Sequence, residues 1–279
     1  YHQSSSNVTI DFVKLDNKGF IDPEDIKRSI NPDTKLVVIN HGSNVIGTVQ
    51  PIREIGRICR DHGITFLVDA SQTAGKLTID IEAMNIDILA FTGHKSLMGP
   101  TGIGGLYVGD DVIIRHTRSG GTGVKSSQPA HLEEYPYRLE YGTLNILGIA
   151  GINAGIKWLK KKGTDNIHHH EMTLTQKIRD GLADIENVTL YCADDLKDHI
   201  GVLSFNIKGL EAVNTGTILD ADYNISCRTG LHCAPLVHKH LGTDTAGGTV
   251  RIGVGPFNTM EQVGRTLQAI AKIAADYGK

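Results

Sequence analysis

The sequence has little cysteine, no long apolar run and no excess of charge of one sign, and each lack removes a class of protein. Four cysteines (Cys59, Cys192, Cys227 and Cys233) in 279 residues do not make a disulfide framework. A reducing cytoplasm is the expected compartment. No apolar stretch approaches the roughly 18 residues that span a bilayer, so no membrane partner is expected. Tyr1–Asn7 is polar and lacks the basic-then-apolar order of a secretory signal. Lys and Arg number 28 against 31 Asp and Glu, a net charge of −3. The short basic cluster Lys160–Lys162 reads as a solvated helix end, and nucleic acid is not an expected partner.

What is present suits a packed core: 40% of residues are hydrophobic and 21% charged. The length allows one large domain or two of modest size. The 32 glycines gather in short loops after apolar runs, where a backbone turns tightly or approaches a ligand.

The first half alternates strand and helix signals. Lys35–Asn40, Thr65–Asp69, Ile86–Thr92 and Ile103–Val108 read as strands. Pro51–His62 reads as a helix, with Pro in its first turn, Ile52, Ile55 and Ile58 at helical spacing, and Gly63 past its end. This predicts an α/β unit with a mainly parallel sheet over residues 1–145. Residues 146–279 read as a smaller α+β unit. Its helices are expected at Asn145–Lys161, Asp165–Ile185, Ala212–Asp222 and Thr259–Asp276, and its strands at Val188–Cys192, Val202–Ile207, Ile225–Thr229 and Thr249–Ile252. The triplet His168–His170 falls within a helix, points three ways and reads as a solvated face.

Two strand ends carry chemistry. In open α/β sheets ligands sit beyond the carboxyl ends of strands. Phe91–Gly105 (FTGHKSLMGPTGIGG) puts Lys95 at such an end, in a glycine-rich turn where a partly dry amine would have a lowered pKa. An amine that attacks carbonyls needs that shift. Thr92 and His94 flank it with phosphate-binding donors. Asp69 closes another strand in Phe66–Gln72 (FLVDASQ). A carboxylate there could keep a pyridine nitrogen protonated. Taken singly these are weak signals, since Asp at a strand end is often a helix cap and a lysine near glycine is usually solvated.

Together, His41–Pro51 (HGSNVIGTVQP), Val68–Gly75 (VDASQTAG) and Gly93–Gly105 (GHKSLMGPTGIGG) resemble the class V aminotransferase-like enzymes in order and spacing. The resemblance implies the pyridoxal 5'-phosphate-dependent fold of type I. It implies Lys95 as the cofactor lysine, Asp69 beside the pyridine nitrogen and Gln72 on the ring's phenolic oxygen. Thr92 and His94 would bind the phosphate, and Asn44 would lie beside ring and substrate.

Ile225–Pro235 (ISCRTGLHCAP) narrows the reading, because Cys233 sits in a loop with Arg228 and His232 nearby, and positive charge favours the nucleophilic thiolate. With Gly248–Gly255 (GTVRIGVG) and Phe257–Thr259, it resembles the carboxy-terminal part of cysteine desulfurases and selenocysteine lyases. That family's loop cysteine takes sulfur from L-cysteine, which implies a Cys233 persulfide with alanine released. Arg251 would hold the substrate carboxylate by a two-bonded fork. Arg138–Asn145 (RLEYGTLN) also matches, and implies that Thr143 reaches the cofactor phosphate of a second copy in a homodimer. A sulfur-acceptor protein is a further implied partner. Selenocysteine lyase, another class V aminotransferase and a truncated, non-catalytic scaffold are the alternatives. Family members carry a further segment ahead of the match, which is expected to be missing from this chain. Cys227, Cys233, His238 and His240 could in principle ligate zinc, but their spacing is looser than structural zinc sites use, and no metal is expected.

Overall fold

The computed structural model describes residues 8–125 and 127–278, so the polar stretch Tyr1–Asn7 lies outside it. Two four-stranded sheets organise the chain. The first has the order β1-β2-β3-β4, with β1 at Leu36–Asn40, β2 at Thr65–Asp69, β3 at Ile88–Thr92 and β4 at Gly104–Val108. The first three strands run parallel, whereas β4 runs antiparallel to β3, from Ile88 opposite Val108 to Thr92 opposite Gly104. A parallel return needs a crossover of a dozen or more residues. The connection at 93–103 is too short for one. The lysine segment is therefore a loop hung from the carboxyl end of β3.

Helix α1 (Pro23–Ser29) and helix α2 (Ile52–Asp61) accompany this sheet. Ile52, Ile55, Ile58 and Cys59 of α2 are buried on one face, as the expected spacing requires. Ile52, Ile55 and Cys59 meet Ile39, Phe66, Val68 and Leu89 from the strands in one hydrophobic cluster. The outer edge is less covered, since Leu36 and Val38 of β1 are exposed.

Helices α3 (Ile146–Lys162) and α4 (Thr164–Ala183) lead to the second sheet. Asn145 caps α3 by accepting a hydrogen bond from Gly148 N, and Gly163, at φ 82°, breaks the path into α4. Lys160–Lys162 form the exposed last turn of α3, as read from the sequence. The second sheet has the order β5-β6-β8-β7 and is antiparallel throughout: β5 at Val188–Tyr191, β6 at Val202–Ile207, β7 at Arg228–Gly230 and β8 at Thr249–Gly253. Helix α5 (Ala212–Tyr223), short helix α6 (Pro235–Leu241) and helix α7 (Met260–Tyr277) complete it. A separate cluster gathers Leu174 and Ile178 of α4, Leu203 and Phe205 of β6, Leu219 of α5, and Ile270 and Ile273 of α7.

Three differences from the sequence reading have physical causes. The strand expected at Ile225–Thr229 starts only at Arg228, because pairing is available where β8 lies alongside, with Arg228 opposite Arg251. Helix α6 has too few residues to show a period, although Pro235 at its start is the usual helix-opening signal. The histidine triplet is not a uniformly solvated face. His169 and His170 are exposed, but His168 is half-buried with Nδ1 unpartnered among the described residues, and burial lowers its pKa.

Candidate active site

The carboxyl ends of β2 and β3 are built rigidly. Asp69, the last residue of β2, accepts at Oδ1 from Ser71 N at 2.8 Å, and its carbonyl accepts from His41 N at 3.0 Å. His41 is buried, with Nδ1 2.8 Å from Thr73 Oγ1. Burial pushes its pKa down to about 4, so it packs as a neutral ring. At the end of β3, Gly93 N donates to Ile103 O and Gly99 N to Gly93 O, each at 2.8 Å. These bonds close the loop that carries Lys95. Gly75, at φ 88°, presses against this loop, where a Cβ would lie 2.6 Å from Ser96 O. Only glycine fits so close a backbone approach.

Lys95 is exposed as a residue, yet the protein around its amine lowers its pKa from the ordinary lysine value. Burial is the main cause; Asp69 opposes it, Arg251 reinforces it, and Cys233 opposes it. The amine of Lys95 therefore lies within electrostatic reach of a carboxylate, a guanidinium and a thiol carried by three other segments. Thr92 Oγ1 and His94 Nδ1 share a hydrogen bond of 2.8 Å beside the lysine. Gln72 is half-buried in the turn after Asp69.

The second sheet supplies the rest. Arg251 on β8 is half-buried, and its Nη1 donates to Asn44 O at 2.8 Å. Burial lowers its pKa, as does Arg228 across the ladder, while Cys233 raises it. Asn44 also donates through Nδ2 to the carbonyl of His232. One residue of the first sheet thus touches both the arginine strand and the cysteine loop. Cys233 is exposed, and both it and His232 sit in left-handed backbone, at φ 59° and 50°. Such a conformation costs a residue with a Cβ about 1 kcal/mol or more.

His232 anchors this turn. Its Nε2 lies 3.1 Å from both the carbonyl and the hydroxyl of Thr249. A carbonyl only accepts, so Nε2 carries the proton. Burial, helped by Arg251, pushes the His232 pKa down to about 4. The ring is neutral near pH 7, which corrects the expectation that it adds positive charge beside Cys233.

The other expected positions stand differently. Thr143 is exposed in the segment before α3, and no hydrogen bond among the described residues ties its side chain to the lysine loop. Cys227, Cys233, His238 and His240 form no metal-binding cluster among the described residues. His238 bonds Thr243 and His240 bonds Asp16 O instead. Sequence reasoning missed the neutral anchor His232. It also missed a buried ion pair, Lys76 Nζ to Glu171 Oε2 at 2.6 Å. Its signal was a glutamate on the apolar face of α4, spaced between Ile167, Leu174 and Ile178.

A lysine loop at one strand end and a carboxylate at the end of the neighbouring strand, in a mainly parallel sheet, are the arrangement of the type I pyridoxal phosphate enzymes. The aminotransferase class-V family matches residues 2–266, and the chain belongs to that family. It is 38% identical over 271 residues to a probable cysteine desulfurase of Methanothermobacter thermautotrophicus, covering 95% of this chain and 67% of that protein. A cysteine desulfurase of Escherichia coli O127:H6 is 33% identical, with 94% and 64% covered. The apo structure of a cysteine desulfurase from Thermococcus onnurineus NA1 superimposes with a TM-score of 0.88 at 34% identity, covering 98% of this chain and 68% of that one. The chain thus spans about two thirds of the length of these relatives.

Proposed function

We propose that the protein is a pyridoxal phosphate-dependent cysteine desulfurase, which converts L-cysteine and the Cys233 thiol into alanine and a Cys233 persulfide. The substrate carbon–sulfur bond breaks, a sulfur–sulfur bond forms, and a proton takes the place of sulfur on the β-carbon. The observation that carries this reading is the Asn44 bridge, whose carbonyl accepts from Arg251 Nη1 and whose amide donates to the His232 carbonyl, joining the arginine strand and the cysteine loop to the side of the molecule that bears Asp69 and Lys95.

The donor set fits the cofactor. Lys95 would bond its aldehyde carbon, Asp69 would face the pyridine nitrogen, and Gln72 the phenolic oxygen. Thr92 and His94, already held together, would take the phosphate, with Thr143 reaching the phosphate of a second copy. When bound, pyridoxal phosphate supplies an electron sink for bond breaking next to the substrate nitrogen. The chain does the rest. Because Lys95 has a lowered pKa, its amine can carry protons to and from the substrate once freed. Arg251, already fixed by Asn44 O, offers its remaining N–H groups to the carboxylate. The substrate's sulfur end would then meet the exposed Cys233.

A homodimer is the proposed assembly. Tyr141, Leu144, Ile146 and Leu147, which flank Thr143, are exposed, and Leu147 reaches 85%. Apolar surface gathered this way is typical of a protein contact. We place the enzyme in the cytoplasm, where free thiols persist. No helix among the described residues is long and apolar enough to cross a membrane. A sulfur-acceptor protein is expected at the exposed cysteine loop.

The test is the visible spectrum after addition of pyridoxal phosphate, followed by turnover of L-cysteine and L-selenocysteine. A Lys95-dependent band and faster alanine release from L-cysteine support the reading. Release from L-selenocysteine alone would make the protein a selenocysteine lyase, and a band without either release would make it another transferase of the class.

A further inference from the structure

We propose that Lys76 and Glu171 form an interlobe clamp that sets Arg251 against Lys95, and so acts as a positioning pair for substrate carboxylate binding. This rests on the desulfurase reading for its catalytic readout. It concerns residues outside the site described above.

Asp69 ends β2 and Lys95 lies in the loop after β3 of the first sheet, whereas Arg251 lies on β8 of the second and Cys233 in the loop after its β7. A substrate held at its amine by one and at its carboxylate by the other measures the distance between the two halves. Whatever fixes the seam therefore fixes that distance. Beside the Arg251–Asn44 bond and the backbone bonds of Val49 N to Asp198 O and Ile200 N to Gly47 O, Lys76 also reaches across it. Its Nζ lies 2.6 Å from Glu171 Oε2 on α4 and 3.4 Å from Val254 O, three residues beyond Arg251. Its chain neighbour Gly75 lies against Ser96 and Leu97, immediately after Lys95. A single short segment thus touches the lysine loop on one side and the end of the arginine strand on the other.

The pair is buried, with side chains 12% and 1% exposed, lower than for any other ion pair among the described residues. Burial raises the Glu171 pKa and Lys76 opposes it, so the carboxylate depends on Lys76 for its charge. His170 acts on the carboxylate in the same direction as Lys76, but less. Buried ion pairs contribute little net stability compared with apolar replacements of the same shape. They do resist separation of the segments that carry them, because parting the two charges leaves each buried without a partner. A pair of this kind at a seam between two hydrophobic clusters is better placed to specify the lobe angle than to hold the fold together.

The experiment uses the full natural polypeptide loaded with pyridoxal phosphate. The variants are Glu171→Gln, Lys76→Met and the double apolar replacement Lys76→Met with Glu171→Leu, which leaves no unpaired buried charge if a single variant folds poorly. The expected result is an intact cofactor band with KM for L-cysteine raised roughly tenfold and kcat changed by less than about threefold, a split that marks lost ground-state positioning. Lys76→Arg should recover part of the KM. A second readout needs no turnover. Spin labels at Arg57→Cys on α2 and Lys272→Cys on α7, both exposed, are placed in protein with Cys192, Cys227 and Cys233 changed to serine. Their distance distribution should broaden or shift in Lys76→Met and in the double variant. An unchanged distance together with an unchanged KM in the double variant would overturn the clamp and leave an ordinary structural pair. Should the parent protein fail to turn over L-cysteine, the desulfurase reading falls, and the label distances still decide whether the pair sets the lobe angle.

Discussion

The loop of Lys95 and the loop of Cys233 lie close to one another, yet they lean on their surroundings to different degrees. The lysine loop closes on its own backbone, through Gly93 to Ile103 and Gly99 to Gly93, and glycines let neighbouring segments press against it. The cysteine turn has one backbone bond of its own, Ala234 N to Leu231 O at 2.8 Å, runs through two left-handed residues and is further pinned by His232 on Thr249 and by Asn44 on the His232 carbonyl. A backbone satisfied internally holds its shape regardless of its surroundings, whereas a strained turn on side-chain pegs can be released by removing one peg. The difference suits the proposed chemistry. The amine has to stay in register with a cofactor, and the thiol has to meet a substrate sulfur and then present a persulfide to an acceptor.

Substitutions at each loop can break this comparison. The largest effect is expected from Lys95→Ala, which should abolish both the cofactor band and alanine release; a retained band in the visible spectrum would show that the rigid loop is not the cofactor's anchor. Cys233→Ala should separate the two regions cleanly. The band should persist while sulfur transfer falls to background, as read by alanine release with a thiol acceptor present. Arg251→Lys keeps the charge but loses the planar fork, and should weaken L-cysteine binding by roughly 10–100-fold, the worth of a charge-assisted hydrogen bond of about 1.5–3 kcal/mol. Steady-state kinetics would show it chiefly in KM.

The smallest effect concerns the peg itself. Folding lowers the His232 pKa from 6.5 to about 4, through burial and then Arg251. The neutral ring is therefore favoured by the fold. Its contribution is full above about pH 6.5 and is lost as the pH falls toward 4, a range worth at most roughly 3 kcal/mol at about 1.4 kcal/mol per pH unit. His41, also pushed down to about 4 by burial, adds a loss of the same sign. Urea unfolding across this range should show stability falling with acid, and His232→Asn should flatten part of the slope. Proteolysis should nick the cysteine turn of that variant before it touches the lysine loop.

Much of the lysine region was legible in the sequence, because its determinants are local. Thr65–Asp69 was bounded correctly, and the strand ends that carry Asp69 and Lys95 follow from apolar runs that stop at polar and glycine residues. The antiparallel turn of β4 also follows from its short connection, although the run of residues alone does not state it. The cysteine region was legible as wording but not as geometry. Nothing in Ile225–Pro235 says that His232 is buried against Thr249, or that Asn44 reaches its carbonyl. Those contacts join residues far apart in the chain, and the pKa of His232 depends on them. The seam pair was hidden for the same reason, because Glu171 declares itself only as a charge on an apolar helix face whose partner lies in another segment.

The central claim is that Lys95 and Cys233, from two separate sheets, serve one reaction. Its most direct test is a single turnover of L-cysteine by the cofactor-loaded full-length protein, with alanine quantified and the persulfide mapped by mass spectrometry. The account predicts one alanine for each persulfide sulfur, located on Cys233, and neither product in Lys95→Ala. Alanine released without a persulfide on Cys233, or a Cys233 persulfide formed from L-cysteine in Lys95→Ala, would contradict it.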